Sequence, residues 1–125
     1  MSGDRTRLLE RDKQTLHSPM EITVIGLGHV GLPTALGLAE KGWYVRGTDS
    51  DPRKINCIRG GRSPFYEPGL EGVLHRHLED GSFLPTENVE AAIRTGTVLF
   101  ICVGTPQRES GQADLSQLEA VARLI

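Results

Sequence analysis

The sequence predicts an α/β fold: a parallel sheet with helices on both faces. Three observations predict it. Short β-branched or apolar runs alternate with segments of helical periodicity. A glycine-rich turn follows the first such run directly and opens the first helix. A late run, Val98-Leu-Phe-Ile-Cys-Val103, is apolar at consecutive positions, as expected of a strand covered on both faces.

Each element has its own signal. Met1–Pro19 is polar, with charges at Asp4, Arg5, Arg7, Glu10, Arg11, Asp12 and Lys13. Residues 1–19 read as a disordered or frayed leader, and the domain is expected over 20–125. Glu21-Ile-Thr-Val-Ile25 is the first strand. A helix follows, with Val30, Ala35, Leu36, Leu38 and Ala39 mostly on one side and Gly42 as the stop. Pro33 fits there because the first turn has no intrahelical N–H bonds to lose. Trp43–Thr48 is the second strand, ending at Asp49, and Pro52–Arg59 is a short helix stopped by Gly60-Gly61. The loop Ser63-Pro-Phe-Tyr-Glu-Pro-Gly69 leads into a helix with Leu70, Val73, Leu74 and Leu78 on one face. Phe83–Thr86 is a brief third strand, and Asn88 caps a helix with Val89, Ala92 and Ile93 inward. Val98–Val103 is the fourth strand, and Gly104-Thr-Pro106 ends it. Asp114 caps a last helix, with Gln117 placed to complete a capping box. The chain stops at Ile125 within that helix, so only the first four strands of the sheet are expected.

Composition narrows the function. Fourteen Lys and Arg against 16 Asp and Glu give a net charge of −2, which argues against a nucleic-acid partner. No apolar run approaches the ~18–20 residues of a membrane span, and the leader has no apolar core of a secretory signal. Cys57 and Cys102 lie far apart with no CxxC pair, so a reducing cytoplasm is expected. Glycine, at 15 of 125 residues, exceeds its usual ~7%, so some of the backbone must turn or pack tightly.

That need is met at Gly26-Leu-Gly-His-Val-Gly31. A GxGxxG alone is a weak signal. Here it sits between a strand and a helix, and Asp49 ends the next strand 18 positions after Gly31. Together these are the fingerprint of a Rossmann-type dinucleotide-binding fold. Gly26 permits the tight turn, Gly28 lets a pyrophosphate approach the backbone, and Gly31 lets the helix pack close. The helix N-terminus offers N–H groups and a positive dipole end to the phosphates. Asp49 is suited to accept both hydroxyls of the adenosine ribose, which favours NAD over NADP; Arg53 and Lys54 leave the phosphorylated cofactor open. Asp49 also reads as a cap for Pro52–Arg59. His75 and His77, two apart on a helix, read as a solvated face and not as a metal pair. Cys57 and Cys102 read as packing thiols. No catalytic or metal-ligating residue is assigned.

With these residues assembled, the chain resembles the UDP-glucose/GDP-mannose dehydrogenase family from about Glu21 to Ile125. Three motifs carry the resemblance: Gly26-Leu-Gly-His-Val-Gly-Leu-Pro33, Ser63-Pro-Phe-Tyr-Glu-Pro-Gly-Leu70, and Val103-Gly-Thr-Pro106 with Gly111-Gln-Ala-Asp-Leu-Ser116. The resemblance implies an N-terminal NAD domain of a two-domain enzyme with a central dimerising helix, hence a homo-oligomer. It implies oxidation of a nucleotide-sugar C6 alcohol to a carboxylate with two NAD, with UDP-glucose favoured over GDP-mannose on the Ser63–Leu70 segment. It also implies cofactor contacts at Gly26, Leu27, Gly28, His29, Val30 and Gly31, at Asp49 and Lys54 by the ribose, and at Val103, Gly104 and Thr105 towards the nicotinamide half. The alternative reading of Gly104-Thr-Pro106, less favoured, is a plain strand-to-loop turn. A tyrosine is usual in the family where His29 stands; an imidazole N–H can take the place of its phenol. The family's catalytic cysteine, lysine, asparagine and glutamate have no counterpart in this sequence. The alternative reading is a stand-alone dinucleotide-binding or sensor module without catalysis.

Overall fold

A computed structural model describes residues 20–125; the expected leader lies outside the described residues. Nine elements follow in order: β1 Glu21–Ile25, α1 Gly31–Glu40, β2 Tyr44–Thr48, α2 Pro52–Arg59, α3 Leu70–Asp80, β3 Phe83–Thr86, α4 Val89–Thr95, β4 Val98–Ile101 and α5 Ser116–Ala122. The strands form one parallel sheet in the order β3-β2-β1-β4. Ile22 pairs with Val45 on one side of β1 and with Val98 on the other. Two crossovers between parallel strands build the sheet outward from β1 in one direction. The chain then returns across it to place β4 on the far side of β1. That reversal opens a crevice at the C-terminal ends of β1 and β4, where α/β sheets take ligands.

The sheet separates two apolar clusters. Ile22 and Val24 of β1, Val45 of β2 and Phe83 of β3 pack under α1, α2 and α3 through Leu32, Ala35, Leu36, Ile55, Ile58 and Leu74. Ile25, Leu99 and Ile101 face the other way, against Ile93 of α4 and Val121 of α5. In α1 the buried Leu32, Ala35, Leu36 and Ala39 fall at i, i+3, i+4 and i+7, one stripe of a helix. The buried Thr23 hydroxyl donates to the Ala92 carbonyl at 2.7 Å, satisfying a polar group between β1 and α4.

Several expectations need correction. Trp43 lies outside β2, in the turn after α1, where its N–H donates to the Leu38 carbonyl. β4 ends at Ile101 rather than Val103, and it is not covered on both faces. Val98 and Phe100 are exposed because β4 is the sheet edge and α4 and α5 cover only its other side. Val30 is not a core position: it precedes α1 and is 67% exposed. Asn88 caps α4 as expected, accepting from the Ala91 N–H at 3.0 Å. At α5, however, Asp114 lies one residue before the N-cap and accepts from the Ser116 N–H, and Leu115 holds the cap position. Gln117 forms no capping box there.

Of the two histidines of α3, His75 is exposed as expected, but His77 is not on a solvated face. His77 is buried where the ends of α1 and α3 meet the start of β3. Its Nδ1 lies 2.6 Å from the Ser82 hydroxyl and its Nε2 2.8 Å from Glu40. His75 Nε2 sits 2.8 Å from the Gly61 carbonyl oxygen. Glu40 also takes the Arg76 guanidinium, and the hydrogen bond to His77, with Arg76 beside it, holds its carboxyl below the usual range. This polar buckle lies at the opposite end of the sheet from the crevice.

Candidate functional site: a dinucleotide crevice

The glycine turn is built by backbone contacts. Gly26 has φ +98°, and a Cβ there would lie 2.6 Å from the Cys102 carbonyl oxygen. A Cβ on Gly31 would fall 1.6 Å from the Gly26 carbonyl oxygen, so α1 starts in contact with the turn. A Cβ on Gly28 would meet nothing within 4 Å. Gly28 therefore presents bare backbone to open space, the surface a diphosphate needs. No side chain caps α1, which leaves its N-terminus open to an anion.

Asp49 is anchored before any ligand arrives. Its Oδ2 accepts the Leu27 N–H at 2.8 Å and lies 3.5 Å from Lys54 Nζ; its Oδ1 accepts the Asp51 N–H at 2.9 Å. The carboxylate thus ties the end of β2 to the glycine turn, with lone pairs left for hydroxyl donors. The cap of α2 is Asp51, not Asp49: Asp51 accepts the Arg53 N–H at 2.9 Å, and that bond chiefly holds its carboxyl below the usual range. The Arg53 side chain pairs outward with Asp51.

One cavity of about 600 Å³ gathers most of the expected contacts. Gly26, Gly28, His29, Val30, Asp49, Lys54, Val103, Gly104 and Thr105 all line it. Leu27 and Gly31 do not: the Leu27 side chain is in the core, and Gly31 is packed on the turn. Cys102 lies just beyond β4 on the cavity wall, not within an apolar strand, and burial pushes its thiol up. Cys57 Sγ lies 3.3 Å from the Arg62 carbonyl oxygen. The His29 ring stacks on Phe65, with centroids 4.2 Å apart and planes at 23°. The Ser63–Gly69 loop therefore leans on the glycine turn.

Sequence reasoning missed the wall opposite. Val89, Gln117, Ala120, Val121 and Leu124 also line the cavity. The last four fall at i, i+3, i+4 and i+7, so helical spacing alone marks them as one face. Among the described residues, no group of three or more His, Cys, Asp or Glu side chains could hold a metal ion. Nor is any described helix long and apolar enough to cross a membrane.

A parallel sheet in this strand order, with a bare glycine turn at its switch point and an anchored aspartate beside it, defines a dinucleotide-binding domain. The sequence model of the UDP-glucose/GDP-mannose dehydrogenase family, NAD binding domain, matches residues 20–125. The chain belongs to that family. It is 42% identical over 106 residues to the UDP-glucose 6-dehydrogenase YwqF of Bacillus subtilis, and 41% identical over 106 residues to the GDP-mannose 6-dehydrogenase of Pseudomonas aeruginosa. Each match covers 85% of this chain and 24% of the relative, so the chain spans about a quarter of their length. The solved UDP-glucose dehydrogenase of Pyrobaculum islandicum superposes with a TM-score of 0.82 at 42% identity, over 85% of this chain and 24% of that one. A ternary complex of the Pseudomonas aeruginosa GDP-mannose dehydrogenase superposes equally well, at 0.82 and 40% identity, with the same coverage.

Proposed function

We propose that this chain holds NAD in the crevice above β1 and β4 and serves as the NAD-binding part of a nucleotide-sugar dehydrogenase. The observation that carries this reading is the single cavity shared by Gly26, Gly28, Asp49, Lys54 and the Val103–Thr105 loop. The diphosphate lies over Gly28, where no side chain intervenes, and against the open N-terminus of α1. His29 stands beside it with a ring N–H to offer. Asp49 accepts the adenosine ribose hydroxyls. Its anchoring by Leu27 and Asp51 fixes the carboxylate in place and reduces the ordering cost of binding. A 2′-phosphate would face that carboxylate, and Lys54 is already engaged with Asp49.

The bound nicotinamide supplies hydride acceptance. The chain's residues bind and orient it, with Val103, Gly104 and Thr105 along its path. In the parent enzyme we infer oxidation of the sugar C6 alcohol to the carboxylate, with two NAD consumed, in a homo-oligomer, with UDP-glucose the favoured substrate. Titration calorimetry of the 125-residue chain tests the reading. NAD is expected to bind at about 0.1–1 mM, roughly 4–5.5 kcal/mol, and NADP more weakly. Asp49→Ala should weaken NAD and narrow the gap. Equal affinities for the two cofactors in the native chain would refute the assignment of Asp49.

A further inference from the structure

His77 takes no part in the crevice, yet it is only 7% exposed and has a polar partner on each ring nitrogen. Counting protons fixes its charge. Asp80 Oδ1 accepts both the Ser82 N–H, at 2.8 Å, and the Ser82 hydroxyl, at 2.5 Å. A hydroxyl has a single proton to give. The Ser82 oxygen therefore turns a lone pair to His77 Nδ1, 2.6 Å away, and Nδ1 must donate. On the other side of the ring, Glu40 Oε1 lies 2.8 Å from Nε2. The Glu40 carboxyl is held below its usual range, chiefly by that hydrogen bond and with Arg76 beside it. It is ionised near neutral pH, so Nε2 must donate as well. An imidazole that donates from both nitrogens is an imidazolium.

The surroundings suit that charge. Glu40 faces the ring from the end of α1, and Asp80 faces it from its own helix, with Oδ2 3.6 Å from Nδ1. Arg76 pairs with Glu40. The two carboxylates are matched by two cations only when His77 is charged. The ring lies in the last turn of α3 and against the last residue of α1, and helix C-termini favour a cation. β2 reaches the same place through its backbone, where the Val45 N–H donates to the Ser82 carbonyl at 2.8 Å. A neutral ring would set a lone pair against Glu40 or against the Ser82 oxygen, or would draw the hydroxyl away from Asp80.

We propose that His77 is a proton-loaded latch: its imidazolium fastens the end of α1 to the end of α3 and the start of β3, and the latch opens as the pH rises. It thereby holds the far end of the helix that the Ser63–Gly69 loop enters. The folded chain keeps a proton that the unfolded chain releases near pH ~6.5, so stability falls as the pH rises through and above that value. Glu40 sets the opposite limit. Its lowered carboxyl must be ionised, so its share of the latch is lost as the pH falls through that lowered range.

Histidine ring-nitrogen shifts of the 125-residue chain, read by long-range proton–nitrogen NMR, test the charge directly. At pH 7.5 an imidazole in water is about 90% neutral, yet both ring nitrogens of His77 should read as protonated. Glu40→Gln should return the ring to its neutral form at that pH. The folding equilibrium constant from urea unfolding should fall between pH 6.5 and 8, approaching about tenfold per pH unit, the limit for one proton. The Cys102 thiol, pushed up by burial, titrates above that window. His77→Gln should remove the fall, because a neutral amide has no proton to lose. A His77 ring with one unprotonated nitrogen at pH 7.5 overturns the proposal. So does an equal fall in the native and His77→Gln chains. Should His77→Gln fail to fold, the nitrogen shifts of the native chain decide alone.

Discussion

Two glycines of one turn should respond in opposite ways to the same added methyl group. At Gly31 a Cβ would fall 1.6 Å from the Gly26 carbonyl oxygen and 2.7 Å from its carbon. Both are backbone atoms held by β1, so neither can swing aside as a side chain end would. Overpacking a rigid site costs about 1–3 kcal/mol, and this contact belongs at the upper end. For a domain of this size, about 3 kcal/mol lowers the melting temperature by roughly 12–24 °C. At Gly28 a Cβ would meet nothing within 4 Å. Gly28→Ala should leave the fold intact, or stabilise it by about 0.4–1 kcal/mol through a less disordered unfolded chain. The new methyl would stand where the diphosphate must lie, so NAD affinity should fall at least tenfold, about 1.4 kcal/mol. Thermal unfolding followed by circular dichroism reads the first effect, and calorimetry with NAD reads the second. An unchanged melting temperature in Gly31→Ala, or native NAD affinity in Gly28→Ala, would refute this account of the turn.

Other consequences follow from the same geometry. Phe65→Ala removes the ring under His29, a stack worth about 0.5–1.5 kcal/mol beyond its buried area. NAD affinity should drop between twofold and tenfold while Phe65→Tyr keeps it, and equal affinities in all three chains would show that the loop does not support the turn. Cys102 lies on the cavity wall with its thiol pushed up by burial. Its alkylation by iodoacetamide should be slow near neutral pH, accelerate only above the ordinary thiol range, and slow further with saturating NAD; mass spectrometry showing no protection would count against the cavity as the cofactor site. The outer edge of β4 exposes Val98 and Phe100, and such an edge invites pairing. The 125-residue chain should self-associate in light scattering, and Phe100→Lys should shift it towards monomer; a native chain monomeric at high concentration would contradict this.

The parts legible in the sequence are those with local causes. Pro52–Arg59 and Phe83–Thr86 have the bounds expected of them, because a proline, glycine pairs and β-branched residues act on their immediate neighbours. The glycine turn and Asp49 were legible because their spacing encodes a three-dimensional arrangement. The misses have non-local causes. An apolar run such as Val98–Val103 does not reveal that its strand lies at a sheet edge. His77 is buried by Glu40, 37 positions away, and i, i+2 spacing on one helix carries no sign of that partner. Gln117 fits a capping-box pattern, yet α5 begins one residue later than the pattern requires. The side chain is then free to line the cavity.

The most direct test of the central claim is an amide chemical-shift map of NAD binding by heteronuclear NMR on the 125-residue chain. The account predicts the largest shifts at Gly26, Gly28, His29 and Gly31, at Asp49, and at Val103–Thr105, with those around His77 and Ser82 unmoved. Shifts centred on the His77 end of the sheet, or none at millimolar NAD, would contradict it.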